Sequence, residues 1–475
     1  MNSDLLEPLS FVPIYRDRIW GGRTLETRLH RQLPPARPIG ESWEIVDRPE
    51  AQSVVAGGPL AGKTLGELWR TRREEIFGIG DLPGPFPLLL KILDAREQLS
   101  LQVHPPERVA AELGGESKTE MWYVAHAEPG AMLHAGLRSA GITPPQLRDA
   151  LASGTAETLI HVIHPRSSDV LFIPSGRLHA IGAGLLIYEI QENSDSTYRI
   201  YDWNRTGPDG KPRDLHVDEA MRSIDFDDVT PGLVQPQGET LVSCRQFDVA
   251  RWDLGPGQIR DLESGKFAII TVLYGPVRCG GLDFPDGSFF LVPAATAHTL
   301  PLQAGGSGAS VLRTTLPRDW RPREASAAAA SAHGGFYRSL RAQVTAWAES
   351  HSGKDHPWLR YILLAPDLLH LLLCLLADPK VPAKPKTMLA AVLAYFVLPV
   401  DLLPEGFIGP VGYLDDIALT AFALNQILNQ TDPEVLRRHW AGDGDILDVI
   451  QDVVKRADEM IGSGLVAKIR EKLGI

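Results

Sequence analysis

Cysteine is scarce in this chain: three of its 475 residues are cysteines. Cys244, Cys279 and Cys374 stand alone, without a Cys-x-x-Cys pair or the closely spaced even set that small secreted domains use. The sequence therefore predicts no disulfide framework, and a reducing compartment suits it best. The first thirty residues also lack the apolar core of a signal peptide, so we expect a cytoplasmic protein.

Basic residues are outnumbered as well. The chain has 47 Lys and Arg against 59 Asp and Glu, which gives a formal net charge of -12. Such a balance repels polyphosphate backbones unless a local basic patch overrides it, so nucleic acid is not expected as a partner. Apolar residues are plentiful, since 44% of the chain is hydrophobic and 22% is charged. This composition can bury two or three ordinary cores and excludes disorder throughout.

The chain divides into three segments that differ in composition and in the spacing of apolar residues. From about residue 11 to 316, short apolar runs alternate with Gly and Pro turn signals, which is typical of a β-sandwich or barrel. Helical spacing at 64–77 and 145–151 predicts a few capping helices on that scaffold. Residues 317–336 are rich in Ala, Ser and Pro and are predicted to be a linker. Long apolar blocks then predict an all-helical domain over 337–475.

Polar residues within apolar strand patterns indicate a metal site. Gln102 and His104 are two residues apart, so in a strand they project to the same face. The same alternation places Lys118 and Glu120 together, and His179 follows an apolar strand just before a Gly-rich turn. Two imidazoles, one carboxylate and one amide form a nitrogen and oxygen set that suits zinc best, and manganese, iron or cobalt less well.

Each of these residues also has an ordinary explanation when it is considered alone. The chain has 14 histidines, and most histidines are surface or hydrogen-bonded groups. Glu120 and Gln102 alone are typical of solvated strand positions. Inside apolar strands, however, each polar side chain needs a partner, and their joint occurrence favours the metal site.

Several motifs together resemble one known family, the type I mannose-6-phosphate isomerases in their short bacterial form. The motifs, in chain order, are IWGG at 19–22, IGESWEI at 39–45, LSLQVHP at 99–105, KTEMWYV at 118–124, GRLHAIGAG at 176–184, EIQENSDSTYRIYDWNR at 189–205 and DLHVDEAM at 214–221. The resemblance covers roughly residues 9–315. It implies an all-β double cupin, in which a jelly-roll barrel over 1–235 holds zinc and a second, smaller barrel follows over 236–316.

The resemblance also implies a role for each matching residue. The family's ligands for one zinc ion per chain fall on Gln102, His104, Glu120 and His179. Its pocket residues fall on Lys118, Glu189 and Arg199, which would be catalytic. Lys118 and Arg199 would bind the substrate phosphate together with Arg205, which stands where the long eukaryotic forms have lysine.

The implied activity is the interconversion of mannose 6-phosphate and fructose 6-phosphate. A proton moves between C1 and C2 through a cis-enediolate, whose negative oxygen zinc would stabilise as a Lewis acid. Glu189 is the candidate proton carrier, and Lys118, Arg199 and Arg205 are the candidate anion holders.

Two other functions are compatible with a cupin. The chain could be a non-catalytic cupin that binds a sugar phosphate and signals through its helical tail, but a complete ligand set favours the enzyme. A cupin oxygenase is disfavoured because such sites usually begin with His-x-His, whereas this one begins with Gln102. For Arg199, the ordinary alternative is an exposed cross-strand ion pair with Asp195. His298, in the second barrel, lacks companions, and no metal is predicted there.

The tail resembles DUF1232, a family of bacterial helical proteins, over residues 394–419. This segment has three aspartates among apolar residues, at Asp401, Asp415 and Asp416. They predict either a polar site or helix caps and turns.

The uncharged blocks of the tail bear on whether it associates with a membrane. Its uncharged blocks at 368–377, 387–400 and 417–431 hold 10, 14 and 15 residues, short of the roughly 18 to 20 that span a bilayer. Because Lys380, Lys384 and Lys386 precede the second block, we expect association with a membrane surface or partner helices, with a soluble bundle as the alternative.

Overall fold

The chain folds into two compact units, Met1–Pro322 and Arg323–Ile475. The structure is a computed structural model. It describes residues 6–35, 37–80, 84–113, 115–203, 205, 213–321, 344, 357–378, 381–397, 414–428, 431, 433–440, 445–461, 463–464 and 466.

The first unit consists mainly of antiparallel strands. Those of its N-terminal two thirds are β1 (Leu9–Ser10), β2 (Ile14–Gly22), β3 (Ile39–Ile45), β4 (Asp47–Arg48), β5 (Ala51–Gln52), β6 (Leu88–Ala95), β7 (Leu101–Val103), β8 (Glu120–Ala127), β9 (Leu133–Leu137), β10 (Ile160–Ile163), β11 (Val170–Ile173), β12 (His179–Ile181), β13 (Leu185–Glu192) and β14 (Tyr198–Tyr201). The later strands are β15 (Thr240–Ser243), β16 (Asp248–Leu254), β17 (Ile259–Arg260), β18 (Ala268–Tyr274), β19 (Val277–Cys279), β20 (Leu282–Phe284), β21 (Phe289–Val292), β22 (Leu302–Ala304) and β23 (Ala309–Thr315).

Short helices interrupt the strands. They are α1 (Thr24–Leu29), α2 (Leu65–Thr71), α3 (Arg73–Phe77), α4 (Glu107–Glu112), α5 (Pro144–Ala152) and α6 (Val217–Ser223), with 3-10 turns at Ala156–Leu159 and Ala297–Thr299. The helix predicted over 64–77 is two helices, because the backbone leaves helical geometry at Arg72. Thr64 caps the first of them by accepting a hydrogen bond from the Glu67 N–H.

The first two large sheets enclose an apolar core. Sheet I has the strand order β11-β8-β13-β6-β2-β3, and sheet II has the order β10-β9-β12-β7-β14. Trp122 and Ile187 of sheet I belong to the same buried cluster as Leu133 and Ile181 of sheet II. Because side chains alternate along a strand, the opposite face of sheet I carries a second apolar set. This arrangement buries both faces of sheet I.

The second set of sheets packs on that opposite face. Sheet III (β1-β21-β18-β23-β16-β15) shares a cluster with sheet I through residues such as Tyr188 and Ile269. Sheet IV (β17-β22-β19-β20) closes the other face of sheet III over an apolar core. In that core Phe284 stacks on Phe290, with ring centroids 3.7 Å apart. The order of layers is therefore II, I, III, IV.

The predicted linker begins later than the sequence indicated. Trp320 packs against the core of the first unit and meets the Trp69 ring edge-on at 6.4 Å. Residues 317–321 thus belong to the first unit because an aromatic residue anchors them. Residues 322–336 lie outside the described residues.

The second unit is helical, as predicted. Its described helices are α7 (Leu359–Ile362), α8 (Ala365–Ala377), α9 (Ala383–Val397), α10 (Leu414–Ile427), α11 (Pro433–His439) and α12 (Ile446–Ile461). In α12 the buried positions Ile446, Ile450, Val453 and Ala457 recur every three or four residues, so one face meets the common core. A 2.7 Å contact between His439 Nε2 and Asp378 Oδ2 joins the end of α11 to the end of α8.

Parts of the tail prediction fall outside the described residues, namely Asp401, Lys380 and the side chain of Asp415. Asp416 is buried within α10. In the described residues, one helical stretch, Leu359–Leu376, is long and apolar enough to cross a membrane by composition. It reaches 18 residues, with a mean hydropathy of 1.8, because it extends past Asp367, which bounded our shorter block, and includes Arg360 as well. Since 56% of it is buried in the unit, it also has the character of a soluble core helix.

Candidate active site

Backbone pairing brings the predicted ligands together between sheets I and II. Gln102 of β7 lies opposite His179 of β12 in the antiparallel ladder. Glu120 begins β8 of the facing sheet, and His104 comes directly after β7. Donor atoms of His104, Glu120 and His179 lie within 4.8 Å of one another, and all three residues are buried.

The imidazole nitrogens are arranged as metal ligands require. His104 Nδ1 lies 2.8 Å from the Ser196 carbonyl oxygen, and His179 Nδ1 lies 2.9 Å from that of Arg177. A nitrogen that faces a carbonyl carries the proton, so each Nε2 keeps its lone pair. Burial, reinforced at His179 by His104, lowers the pKa of both side chains, at His179 to about 3. Both rings are therefore neutral at physiological pH.

The carboxylate between them has one oxygen without a hydrogen bond. His104 Nε2 is 3.5 Å from Glu120 Oε2, and His179 Nε2 is 3.7 Å from Glu120 Oε1. Glu120 Oε1 and His104 Nε2 make no hydrogen bond to any described residue, whereas Glu120 Oε2 has the Lys118 ammonium 2.7 Å away. Buried polar atoms without partners are rare and costly. The donor set thus fits a divalent cation that prefers nitrogen and oxygen ligands.

Gln102 lies beside this group with its amide nitrogen toward it. Its Nε2 is 3.3 Å from His179 Nε2, while its Oε1 accepts a hydrogen bond of 3.3 Å from the Ser100 hydroxyl. Rotation of the terminal amide by a half turn would present the oxygen to a cation instead.

Two further predicted residues carry opposite charges next to the donor set. Lys118 Nζ lies 2.7 Å from Glu120 Oε2 and 3.9 Å from Glu189 Oε1. Burial acts to lower the pKa of Lys118, but the two carboxylates outweigh it and raise that pKa. Burial, together with the Glu120 charge, raises the pKa of Glu189 to about 7. Lys118 therefore stays cationic, whereas Glu189 can both accept and release a proton near neutral pH.

The structure adds residues that the sequence reasoning missed. Lys91 of β6 lies opposite Glu189 of β13, with its Nζ 3.5 Å from Glu189 Oε2 and over the Trp43 ring. Glu41 accepts a 2.6 Å hydrogen bond from Trp43 Nε1 and pairs with Arg18 at 2.8 Å. Burial acts to raise the Glu41 pKa, but Lys91 and Arg18 outweigh it and lower the pKa to about 2. The sequence signal that could have identified Lys91 is its position as a charged residue inside the apolar strand LLLKILDA at 88–95.

The predicted arginines lie on the edge of sheet II. Arg199 of β14 faces Gln102 in the ladder, and its Nε donates a 3.1 Å hydrogen bond to the Ser100 hydroxyl. Arg205 donates to the Gln98 carbonyl and to Asp202. The described residues show no ion pair between Arg199 and Asp195; Asp195 instead lies 4.0 Å from Lys91 Nζ.

The second set of sheets offers no comparable site. His298 is exposed within the 3-10 turn Ala297–Thr299. Over the described part of the chain, the group around His104 is the one cluster of three or more metal-ligating side chains.

Comparisons with known proteins confirm both resemblances. The family described as "Phosphomannose isomerase type I, catalytic domain" matches residues 9–135, and "Protein of unknown function (DUF1232)" matches residues 386–422. Mannose-6-phosphate isomerase ManA of Bacillus subtilis is 36% identical over 282 residues, which cover 57% of this chain and 87% of that protein. The mannose-6-phosphate isomerase of Streptococcus mutans is 36% identical over 281 residues, or 58% of this chain and 87% of that protein.

Solved structures agree with the sequence matches. The crystal structure of the mannose 6-phosphate isomerase from Bacillus subtilis superposes with a TM-score of 0.58 at 31% identity and covers 66% of this chain and 100% of that one. A mannose 6-phosphate isomerase solved with bound zinc and yttrium has a TM-score of 0.52 at 17% identity over 66% of this chain and 100% of that one. The latter likeness concerns the fold.

Proposed function

Because this chain belongs to the type I mannose-6-phosphate isomerases, which are aldose-ketose isomerases, we propose that it interconverts mannose 6-phosphate and fructose 6-phosphate. We further propose that one zinc ion is held by Gln102, His104, Glu120 and His179. The observation that supports this most is the buried cluster of two neutral imidazoles and the Glu120 carboxylate, whose Oε1 makes no hydrogen bond to the described residues.

The sheets support a double cupin architecture for the first unit. Sheets I and II would form the catalytic barrel over 1–235, and sheets III and IV the smaller barrel over 236–316. The pairing of β1 with β21 crosses this boundary, because it adds the start of the chain to sheet III. The apolar core between sheets III and IV suits a role in stability.

Zinc, when bound, would supply a Lewis acid that stabilises negative charge on a substrate oxygen. The proton that moves between C1 and C2 is assigned to Glu189, because its pKa of about 7 lets the carboxylate accept and return a proton at neutral pH. Trp122 Nε1 donates a 3.1 Å hydrogen bond to Glu189 Oε1 and fixes its orientation. Lys118 would donate to the enediolate oxygen or to the phosphate as a permanent cation.

The substrate phosphate must be bound by cationic groups that do not cleave it from the sugar. Arg199 suits this role because its guanidinium sits at the sheet edge, next to Gln102 and the Ser100 hydroxyl. The sequence predicts Lys118 and Arg205 for the same set, although Arg205 already directs its donors to Asp202 and the Gln98 carbonyl.

A sugar-phosphate sensor without catalysis is the alternative. It would need the cationic groups but no Lewis acid, and so would not need the buried donor cluster of His104, Glu120 and His179. The metal-type donor set therefore favours the enzyme.

The decisive test is a coupled assay of the purified full chain with mannose 6-phosphate, before and after dialysis against a chelator. We expect activity to disappear with the metal and to return when zinc is added. Full turnover in a sample whose metal content is verified as nil would overturn the zinc proposal, and no turnover in the zinc-loaded protein would overturn the isomerase.

For the second unit we propose association with a membrane surface or partner helices in a cytoplasmic protein. The stretch Leu359–Leu376 supports this by its composition, whereas its burial supports a soluble bundle. Cells that express the whole chain or a version ending at Arg321 can be fractionated at low salt. Recovery of both in the soluble fraction would exclude membrane association and leave the bundle.

A further inference from the structure

We propose that Arg213 is the second guanidinium that binds the substrate phosphate beside Arg199, and that Arg205 is a positioning residue for it. This assignment rests on the isomerase function proposed above and concerns how the same pocket recognises a phosphorylated sugar.

Two arginines, Arg205 and Arg213, share one buried carboxylate. Arg213 Nε donates a 2.6 Å hydrogen bond to Asp202 Oδ2, and both Arg213 Nη2 and Arg205 Nη2 donate to Asp202 Oδ1. The Asp202 side chain is only 6% exposed. Asp202 therefore holds the two guanidiniums at a fixed position.

Arg199 lies within the field of this group. Its Nη1 donates a 3.1 Å hydrogen bond to the carbonyl of Asp214, the residue after Arg213. Burial, then the Arg213 charge, lowers the pKa of Arg199. Three guanidiniums thus share two nearby carboxylates, those of Asp202 and the exposed Asp214. The excess positive charge is what a dianionic phosphate would neutralise.

The three arginines differ in how many of their side-chain nitrogens already make hydrogen bonds. Every side-chain nitrogen of Arg205 already makes a hydrogen bond, Nη1 to the Gln98 carbonyl and Nε and Nη2 to Asp202. Arg199 Nη2 and Arg213 Nη1 make no hydrogen bond to the described residues. An anion would therefore find one whole amino group on each of these two residues, while Arg205 stabilises the carbonyl and carboxylate that frame them.

The position of the cluster suits the length of the substrate. Arg199 is joined to the donor set through the Ser100 hydroxyl and Gln102. In a hexose 6-phosphate the reacting C1 and C2 and the phosphate are at opposite ends of the carbon chain. A phosphate site should consequently lie beside the donor set and not within it, and Arg199 lies there.

The test measures phosphate recognition in the full, zinc-loaded chain. Arg213→Ala is expected to raise the KM for mannose 6-phosphate and the inhibition constant of inorganic phosphate by about tenfold or more, the loss of one charge-assisted contact. Its zinc content should stay close to that of the unchanged protein, because the hydrogen bonds of Arg213 go to Asp202 and not to the donor set. Arg148→Ala is the matched control, because Arg148 is an exposed arginine paired with Asp218, and it should change none of these quantities.

Arg213→Lys keeps a positive charge near Asp202 and guards against a folding defect in the alanine variant. It should bind inorganic phosphate more weakly than arginine but more tightly than alanine, as calorimetry can measure without any turnover. One outcome is that the unchanged protein isomerises mannose 6-phosphate while both Arg213 variants bind phosphate as tightly as it does. In that case Arg213 is not a phosphate ligand and the proposed function stands. If the unchanged protein shows no isomerase activity, the proposed function fails, and the calorimetric comparison still decides whether Arg213 binds phosphate.

Discussion

Arg199 and Gln102 face each other in the β7–β14 ladder, and the Ser100 hydroxyl bridges them by accepting from Arg199 Nε and donating to Gln102 Oε1. A group assigned to the substrate anion is thus a direct neighbour of a group assigned to the metal. The two roles nevertheless fall on separate side chains, so substitutions should separate them.

Removal of a metal ligand should abolish metal and activity together. We expect His104→Ala and Glu120→Ala to lose bound zinc and to reduce kcat/KM by more than ~100-fold, because each removes a buried donor of the cluster. Zinc content by mass spectrometry and the coupled assay measure both effects. His298→Ala, at an exposed histidine of the 3-10 turn Ala297–Thr299, is the control and should retain both.

Arg199→Ala should behave differently. We expect full zinc content with a loss of roughly 100-fold in kcat/KM, because the guanidinium acts on the substrate and not on the metal. His179→Ala serves as the comparison. If Arg199→Ala lost zinc as readily as His179→Ala, the division of roles would be wrong.

The acid limb of the pH profile should report Glu189. The carboxylate must be ionised to accept a proton, so kcat/KM should fall as pH drops below its pKa, which is about 7 in the metal-free protein. A bound cation offsets the Glu120 charge that helps to raise this pKa, so the limb should lie at or below that value. Glu189→Gln should have little activity and no such limb. An unchanged profile in Glu189→Gln would assign the proton transfer to another group.

Lys91 should tune that same limb. Its positive charge, 3.5 Å from Glu189 Oε2, lowers the pKa of the carboxyl. Lys91→Met removes the charge and should move the acid limb to higher pH by about one unit. The pH dependence of kcat/KM in the zinc-loaded variant measures the shift, and Lys63→Met, an exposed lysine paired with Glu67, should show none. A shift toward lower pH would contradict the ion pair's role.

The core between sheets III and IV should matter for stability. Phe290 is fully buried and stacked on Phe284, so Phe290→Ala should cost about 3–5 kcal/mol of unfolding free energy. Calorimetric unfolding of the full chain measures the loss. Tyr274→Ala, at a residue that is 61% exposed, should be nearly neutral, and an equal loss in both variants would contradict a packing role for this core.

Local patterns were sufficient to predict the broad organisation. The alternation of short apolar runs predicted a β-rich first part, and long apolar blocks such as 417–431 predicted a helical second part. Both predictions depend only on residue spacing within one element. Boundaries were less predictable: residues 317–321 are anchored by Trp320, whose ring contact Trp69 lies far away in the chain.

The candidate site shows the same division. Spacing within single strands and the family motifs were enough to select Gln102, His104, Glu120 and His179. Lys91 and Arg213 lie in none of those motifs, and Glu41 lies in IGESWEI without a role assigned to it. They join the site through pairing or folding across long stretches of chain, as Lys91 does opposite Glu189. The sequence by itself therefore determined the element types and the family. Only the tertiary structure decided which charges share the pocket, because sheet register and loop packing, unlike strand periodicity, bring together residues that are distant in the chain.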